Sequence, residues 1–188
     1  KRIPMIKVNV EINNRSWRKE IKNPKKYFSE KLKKINLQVS KLVKQQHRYF
    51  FKTTKRKKNK ITFNILLTDS LNMKRLNKQF LRKCKSTDVL SFPNYYTGKL
   101  NILSRKFSSK NLYERIDLMT GKSGGFFLGD IAIDYEIINF RRKGNNFLLE
   151  FDKVWIHGLL HLLGFDHKKN KDYFKMNRLE KRFLNLVC

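Results

Sequence analysis

The chain has 188 residues, with 44 Lys plus Arg against 15 Asp plus Glu and a formal net charge of +29. That length suits one domain with a sizeable core, and a charge excess this large repels itself unless a polyanion compensates it. Nucleic acid is therefore the expected partner, through phosphate contacts and counterion release. A bias toward Lys and Asn, of the kind an AT-rich genome gives, explains lysine in place of arginine but not the shortage of carboxylates. The two cysteines, Cys84 and Cys188, exclude a disulfide framework and a cysteine-based zinc site, and they fit a reducing compartment. No apolar run of about 18 residues exists, so no membrane span is expected. Lys1-Arg2-Ile3-Pro4 lacks the apolar run of a signal peptide. Either Met5 is the start or a leader has been removed, and the sequence leaves both open.

Residues 5–12 alternate, with Ile6, Val8, Val10 and Ile12 on one side, which predicts a half-buried strand. Asn13 to Ser16 make a turn, and Trp17 is expected to pack back on the core. Asn23-Pro24 reads as the N-cap and first position of a helix over 24–46. Its apolar stripe is Phe28, Leu32, Ile35, Val39 and Leu42, opposite a face rich in lysine. The basic run 52–60 is a loop or hairpin tip, either a solvated linker or an arm for phosphate. A strand over 61–67 and a helix over 70–82 follow, the helix capped from Thr68-Asp69-Ser70. Residues 87–93 read as a strand that Pro93 ends or marks as a sheet edge. Residues 97–124 form a long irregular insertion.

Residues 126–133 predict a fourth strand, and Gly129 inside it marks a bulge or a close backbone approach. Helices are expected over 135–143, 147–163 and 172–186, the second of them apolar on more than one face and so central and buried. The last turns Met176, Leu179, Phe183 and Leu186 inward. No repeat, heptad array or linker divides the chain. The class is α+β: a single domain over residues 1–188, with a small mixed four-stranded sheet packed with about five helices.

Three of the chain's four histidines fall within residues 157–167. His157 and His161 are spaced i, i+4, which stacks both imidazoles on one helical face. Gly164 can end the helix with a positive-φ reversal that returns His167 toward the same point. Three neutral imidazoles converging on one point make a metal site with open positions, as catalytic zinc requires. The order H-x-x-x-H-x-x-G-x-x-H is the metzincin ligand spacing. Those proteases carry Glu after the first His as general base, whereas this chain has Gly158.

Three segments resemble the YbeY family of bacterial metal-dependent endoribonucleases. They are Leu76-Asn77 with Ser86-Thr87-Asp88-Val89-Leu90-Ser91-Phe92-Pro93, then Leu128-Gly129-Asp130-Ile131, then the stretch His157 to His167. The likeness runs from about residue 5 to residue 186. It implies one α+β domain on a small mixed sheet, and one Zn²⁺ held by His157, His161 and His167. It implies cleavage of single-stranded RNA in ribosomal RNA processing, including maturation of the small-subunit 16S rRNA 3′ end, and in ribosome quality control. The partners would be single-stranded rRNA and the small ribosomal subunit. The location would be the cytoplasm or an organelle of bacterial descent. His157 and Arg82 are the catalytic residues this likeness suggests. The family's arginine, five residues after the Leu of its Leu-Asn pair, falls here on Leu81, and a slip of one residue would place Arg82 there.

The three-histidine zinc of such a site can lower the pKa of a water toward 7 or polarise a phosphoryl oxygen. Attack by hydroxide and attack by the ribose 2′-OH both stay open, with Arg82 or a lysine neutralising charge at phosphorus. Asp166 is either a carboxylate that orients a ligand or a turn residue. Asp88 and Asp130 are expected to make structural hydrogen bonds. Two other readings compete: a non-catalytic ribosome-assembly factor with bound zinc, and a metalloprotease-like hydrolase. The missing Glu and the net charge weigh against the protease.

Overall fold

A computed structural model describes residues 3–46, 60–94, 125–144, 146–167 and 169–188. The elements are β1 (Met5–Ile12), α1 (Trp17–Glu20), α2 (Pro24–Gln46), β2 (Lys60–Thr68), α3 (Ser70–Leu81), β3 (Val89–Pro93), β4 (Phe126–Asp134), α4 (Tyr135–Arg141), α5 (Phe147–Leu162) and α6 (Asn170–Val187). The described residues thus hold four strands and six helices, the expected mixed sheet with one more helix than expected. The addition is α1, a single turn whose Trp17 is fully buried and donates its indole N–H to the carbonyl of Thr68 at 2.9 Å. Of the basic run, Lys60 opens β2, and residues 52–59 lie outside the described residues, as does the whole insertion 97–124.

The sheet order is β1-β2-β4-β3. β1 pairs parallel with β2 and β2 with β4, while β3 runs antiparallel on the outer edge of β4. Pro93 therefore ends an edge strand, where its missing N–H costs least. The pairing register of β2 with β4 shifts by one residue between Thr62 and Asn64. This is the bulge that Gly129 signalled: its φ is +133°, and a Cβ there would lie 2.2 Å from the carbonyl oxygen of Phe92. The extra residue flips the side-chain alternation of β4. Phe126 and Leu128 before it, and Ile131 and Ile133 after it, consequently all join one core.

That main core lies between one sheet face and helices α2, α5 and α6. Phe28, Leu32, Ile35 and Val39 of α2 are buried in it, as the stripe predicts, together with Val43, while Leu42 packs at its edge. The opposite sheet face holds a small cluster of Met73, Leu90 and Ala132, covered by α3. α5 crosses β3 and β4 and is the buried central helix, with Phe151, Trp155, Leu159 and Leu160 fully enclosed. α6 packs against α5 and α2, and its inward residues include Met176, Phe183 and Val187.

Gly158 sits where α5 meets the sheet. A Cβ at this position would stand 2.9 Å from Ile131 Cγ2, 3.2 Å from Ser91 Oγ and 3.2 Å from Val89 Cγ2. The glycine lets the helix approach β3 and β4 closely, and it leaves no room for a glutamate.

Candidate metal centre

The site is built from the last two turns of α5 and the reversal after it. Leu163 closes the helix and Gly164 takes φ +89°. The N–H of Phe165 returns to the carbonyl of Leu160 at 3.0 Å, and that of Gly164 to His161 at 3.0 Å. This is the Schellman pattern, and the buried Phe165 ring supplies its apolar contact. The turn brings the ring of His167 to 5.5 Å from that of His157 and 5.2 Å from that of His161, centroid to centroid. One ligand nitrogen from each of the three histidines lies within 4.8 Å of the others. The structure thus brings all three predicted ligands together.

The donor chemistry fits a cation. Nδ1 of His157 lies 2.6 Å from Oε1 of Glu180, and Nδ1 of His161 lies 3.0 Å from the carbonyl oxygen of Phe165. Both partners are acceptors, so each Nδ1 carries the proton and each Nε2 is left with a bare lone pair. Those two Nε2 atoms stand 3.0 Å apart. Two lone pairs facing each other at that distance repel, and a metal ion or a shared proton relieves the repulsion. Burial, reinforced by the neighbouring His157 and His167, lowers the pKa of His161 from 6.5 to about 4. The imidazole is thereby held in its neutral, metal-ligating form. Between pH 6.5 and about 4 the unfolded chain takes up a proton that folded His161 refuses. In the metal-free protein this residue therefore costs stability as pH falls through that window, and the loss is complete below it.

Glu180 was not legible in the sequence. It stands on α6, 23 residues beyond His157, and only the packing of α6 on α5 brings the two together. A carboxylate on the far nitrogen fixes the tautomer and orientation of a metal-binding imidazole and raises its basicity. Asp166, the sequence candidate for that task, accepts the backbone N–H of His167 at 2.8 Å, a contact of the turn, and also bears electrostatically on His161.

Beside His157 opens a cavity of about 440 Å³ between α5, α6 and β3, lined also by Asp88, Arg141, Lys153, Asn177, Glu180 and Lys181. Asp88 forms an ion pair with Arg141 and accepts the N–H of Val89 at 3.0 Å. Asp130 accepts from Asn64 at 2.7 Å, and Asn64 in turn accepts from Asn9 at 2.9 Å, a side-chain ladder across three strands. Both aspartates thus make the structural hydrogen bonds expected of them. Arg82 caps α3 in a left-handed conformation with φ 58°, exposed to solvent, and Leu81 before it is half exposed. Neither lines the cavity, and α3 covers the sheet face opposite α5.

The fold and the site define a mixed-sheet protein with a three-histidine cluster able to hold a metal ion at the end of a buried helix. The family model for Endoribonuclease YbeY matches residues 14–187, and the chain belongs to that family. An Endoribonuclease YbeY of Pelagibacter ubique is 38% identical over 180 residues, covering 94% of this chain and 92% of the relative. Those of Bartonella quintana and Clostridium acetobutylicum are 32% and 31% identical, over 64% and 65% of this chain and 65% and 72% of their own lengths. The solution structure of TM1509 from Thermotoga maritima aligns over 97% of this chain and 89% of its own, at 22% identity and a TM-score of 0.46.

Proposed function

We propose that this protein is a zinc-dependent endoribonuclease that cuts single-stranded ribosomal RNA. Its tasks on this reading are 16S rRNA 3′-end maturation and ribosome quality control, with the small ribosomal subunit as partner and the cytoplasm as location. Family membership supports cleavage of RNA, and the net charge of +29 supports a polyanionic substrate. One observation carries the metal: the Nε2 atoms of His157 and His161 are turned toward each other at 3.0 Å, with His167 folded in beside them. Three nitrogen ligands with open positions favour zinc in a catalytic role, since structural zinc takes four protein ligands.

His157, His161 and His167 would hold the ion. When bound, it supplies Lewis acidity at a phosphoryl oxygen and activation of water near neutral pH. The chain's own residues do the rest. Glu180 keeps the proton on Nδ1 of His157, and the Phe165 carbonyl keeps it on Nδ1 of His161. Lys181 places positive charge at the cavity beside His157. The role the family likeness suggests for Arg82, neutralising charge at phosphorus, requires the bound RNA to reach the end of α3, outside the cavity beside His157. The space at residue 158 argues against the protease reading, because Ile131, Ser91 and Val89 occupy the volume a glutamate would need.

The test is metal analysis with a cleavage assay on single-stranded RNA. Purified protein should contain about one zinc per chain, and chelation should stop cleavage that zinc restores. A metal-loaded sample that cuts RNA no better than its His161→Ala variant would rule out the enzyme and favour an assembly factor. An Arg82→Ala variant with normal metal content and unchanged kcat would remove Arg82 from the mechanism.

A further inference from the structure

The face of α6 that meets the cavity continues past it. Asn177, Glu180 and Lys181 line the cavity beside His157. At 3.6 residues per turn, Tyr173 and Phe174 fall on the same side of the helix, one turn N-terminal to Asn177. Asn177 makes the link, donating its side-chain N–H to the Tyr173 hydroxyl at 3.4 Å. Tyr173 is separated from Glu180 by seven residues, about 10 Å of helix. The two rings meet edge to face at 5.7 Å, and they are 49% and 68% exposed. Exposing two adjacent aromatics forgoes a large burial gain.

The charge around them selects an occupant. Among the cavity's carboxylates, Asp88 is paired with Arg141, Glu150 with Lys153, and Glu180 with His157. Lys181 has no carboxylate within ion-pair distance among the described residues. The result is a pair of open aromatic rings and, among the described residues, a cation that no carboxylate neutralises, along the one face of α6 that also meets the histidine centre through Glu180. Proteins that hold unpaired strands use this combination: bases stack on the rings while cations track the phosphates.

We infer that Tyr173 and Phe174 form a stacking platform for an unpaired base of the RNA, and that Lys181 contacts a backbone phosphate in the cavity beside the metal centre. This rests on the RNA-cleaving reading above and adds the contact that selects single strands: a base within a duplex has no free face to offer the rings. Stacking is tolerant of base identity, so the platform should favour unpaired RNA without reading its sequence.

The experiment measures binding of short labelled oligouridylate and oligoadenylate RNAs to metal-loaded protein by fluorescence anisotropy, at times short compared with cleavage. Tyr173→Ala/Phe174→Ala should weaken binding of both by roughly tenfold or more, while Tyr173→Phe stays within about twofold of the parent. Lys181→Ala should weaken binding and lower the slope of log K against log salt by about one. Metal content and melting temperature of the double variant should match the parent, because neither ring is buried. The inference is overturned if the double alanine variant binds both RNAs as the parent does. It is also overturned if the variant keeps RNA binding and loses only association with ribosomal particles, which would make the patch a protein-docking surface. Failure of the parent itself to bind or cut single-stranded RNA strikes the proposed function instead, so the two failures are distinguishable.

Discussion

Helix α5 carries two polar centres five residues apart, and they are built in opposite ways. Asp152 is buried, and its two oxygens accept from the Tyr27 hydroxyl at 2.6 Å, the Trp155 indole N–H at 2.7 Å and the Lys31 ammonium at 2.5 Å. Burial and the adjacent carboxylate push the Tyr27 hydroxyl far up from its ordinary pKa, so it stays protonated and keeps donating. Every strong acceptor site at Asp152 is filled by the protein. At His157 and His161 the outer nitrogens are filled in the same way, by Glu180 and the Phe165 carbonyl, but the inner nitrogens are turned toward each other and toward His167. A polar centre completed by its own chain holds the fold together. One whose lone pairs are aligned and left to an outside partner is where chemistry is to be expected.

The contrast can be broken at either end of the helix. His161→Ala should abolish metal binding and RNA cleavage together while leaving the fold intact. A cleaving variant without metal would show that the triad is not the catalytic centre. At the other end, Asp152→Ala leaves Lys31 without its carboxylate and should cost about 3 kcal/mol or more of stability. Urea denaturation would measure this, and folded variant should still bind one metal with parental affinity. Reduced metal affinity in that folded variant would mean that the two centres are not separable.

Glu180→Gln tests the support of the histidine centre, because it keeps the shape and removes the charge that holds His157. Metal affinity should fall by about 10- to 100-fold in a chelator competition, with little change in melting temperature. Parental affinity would reduce Glu180 to a surface contact. Gly158→Ala should have the smallest effect. Its new methyl group crowds Ile131 and outweighs the gain in helix propensity, for a net loss of about 1 kcal/mol. A higher melting temperature would show that the helix does not need its close approach to the sheet.

The elements were legible because their patterns are local. The stripe of α2, the alternation of β1 and the all-round apolar character of α5 each need only neighbours along the chain, and each element forms where its pattern lies. The histidines were legible for the same reason: an i, i+4 pair followed by a glycine turn brings three ligands together within eleven residues. The bulge at Gly129 was visible as a glycine out of place in a strand, although its consequence, the switch of inward residues from Leu128 to Ile131, is a property of the paired sheet. The register at Arg82 was not legible. A one-residue slip at the end of a helix changes which side chain points where, and sequence spacing alone does not decide it.

By itself, the sequence determined that this is a basic mixed-sheet protein whose last histidines are spaced to hold a metal. Their geometry is local, and net charge needs no fold. Tertiary structure alone decided the strand order β1-β2-β4-β3 and the pairing of Glu180 with His157. It also decided the meaning of Gly158. The sequence showed a missing base there, whereas the packed helix shows a close approach to Ile131, Ser91 and Val89 that even a methyl group would crowd. Each of these depends on residues far apart in the chain, and only the burial of one element against another specifies which of them meet.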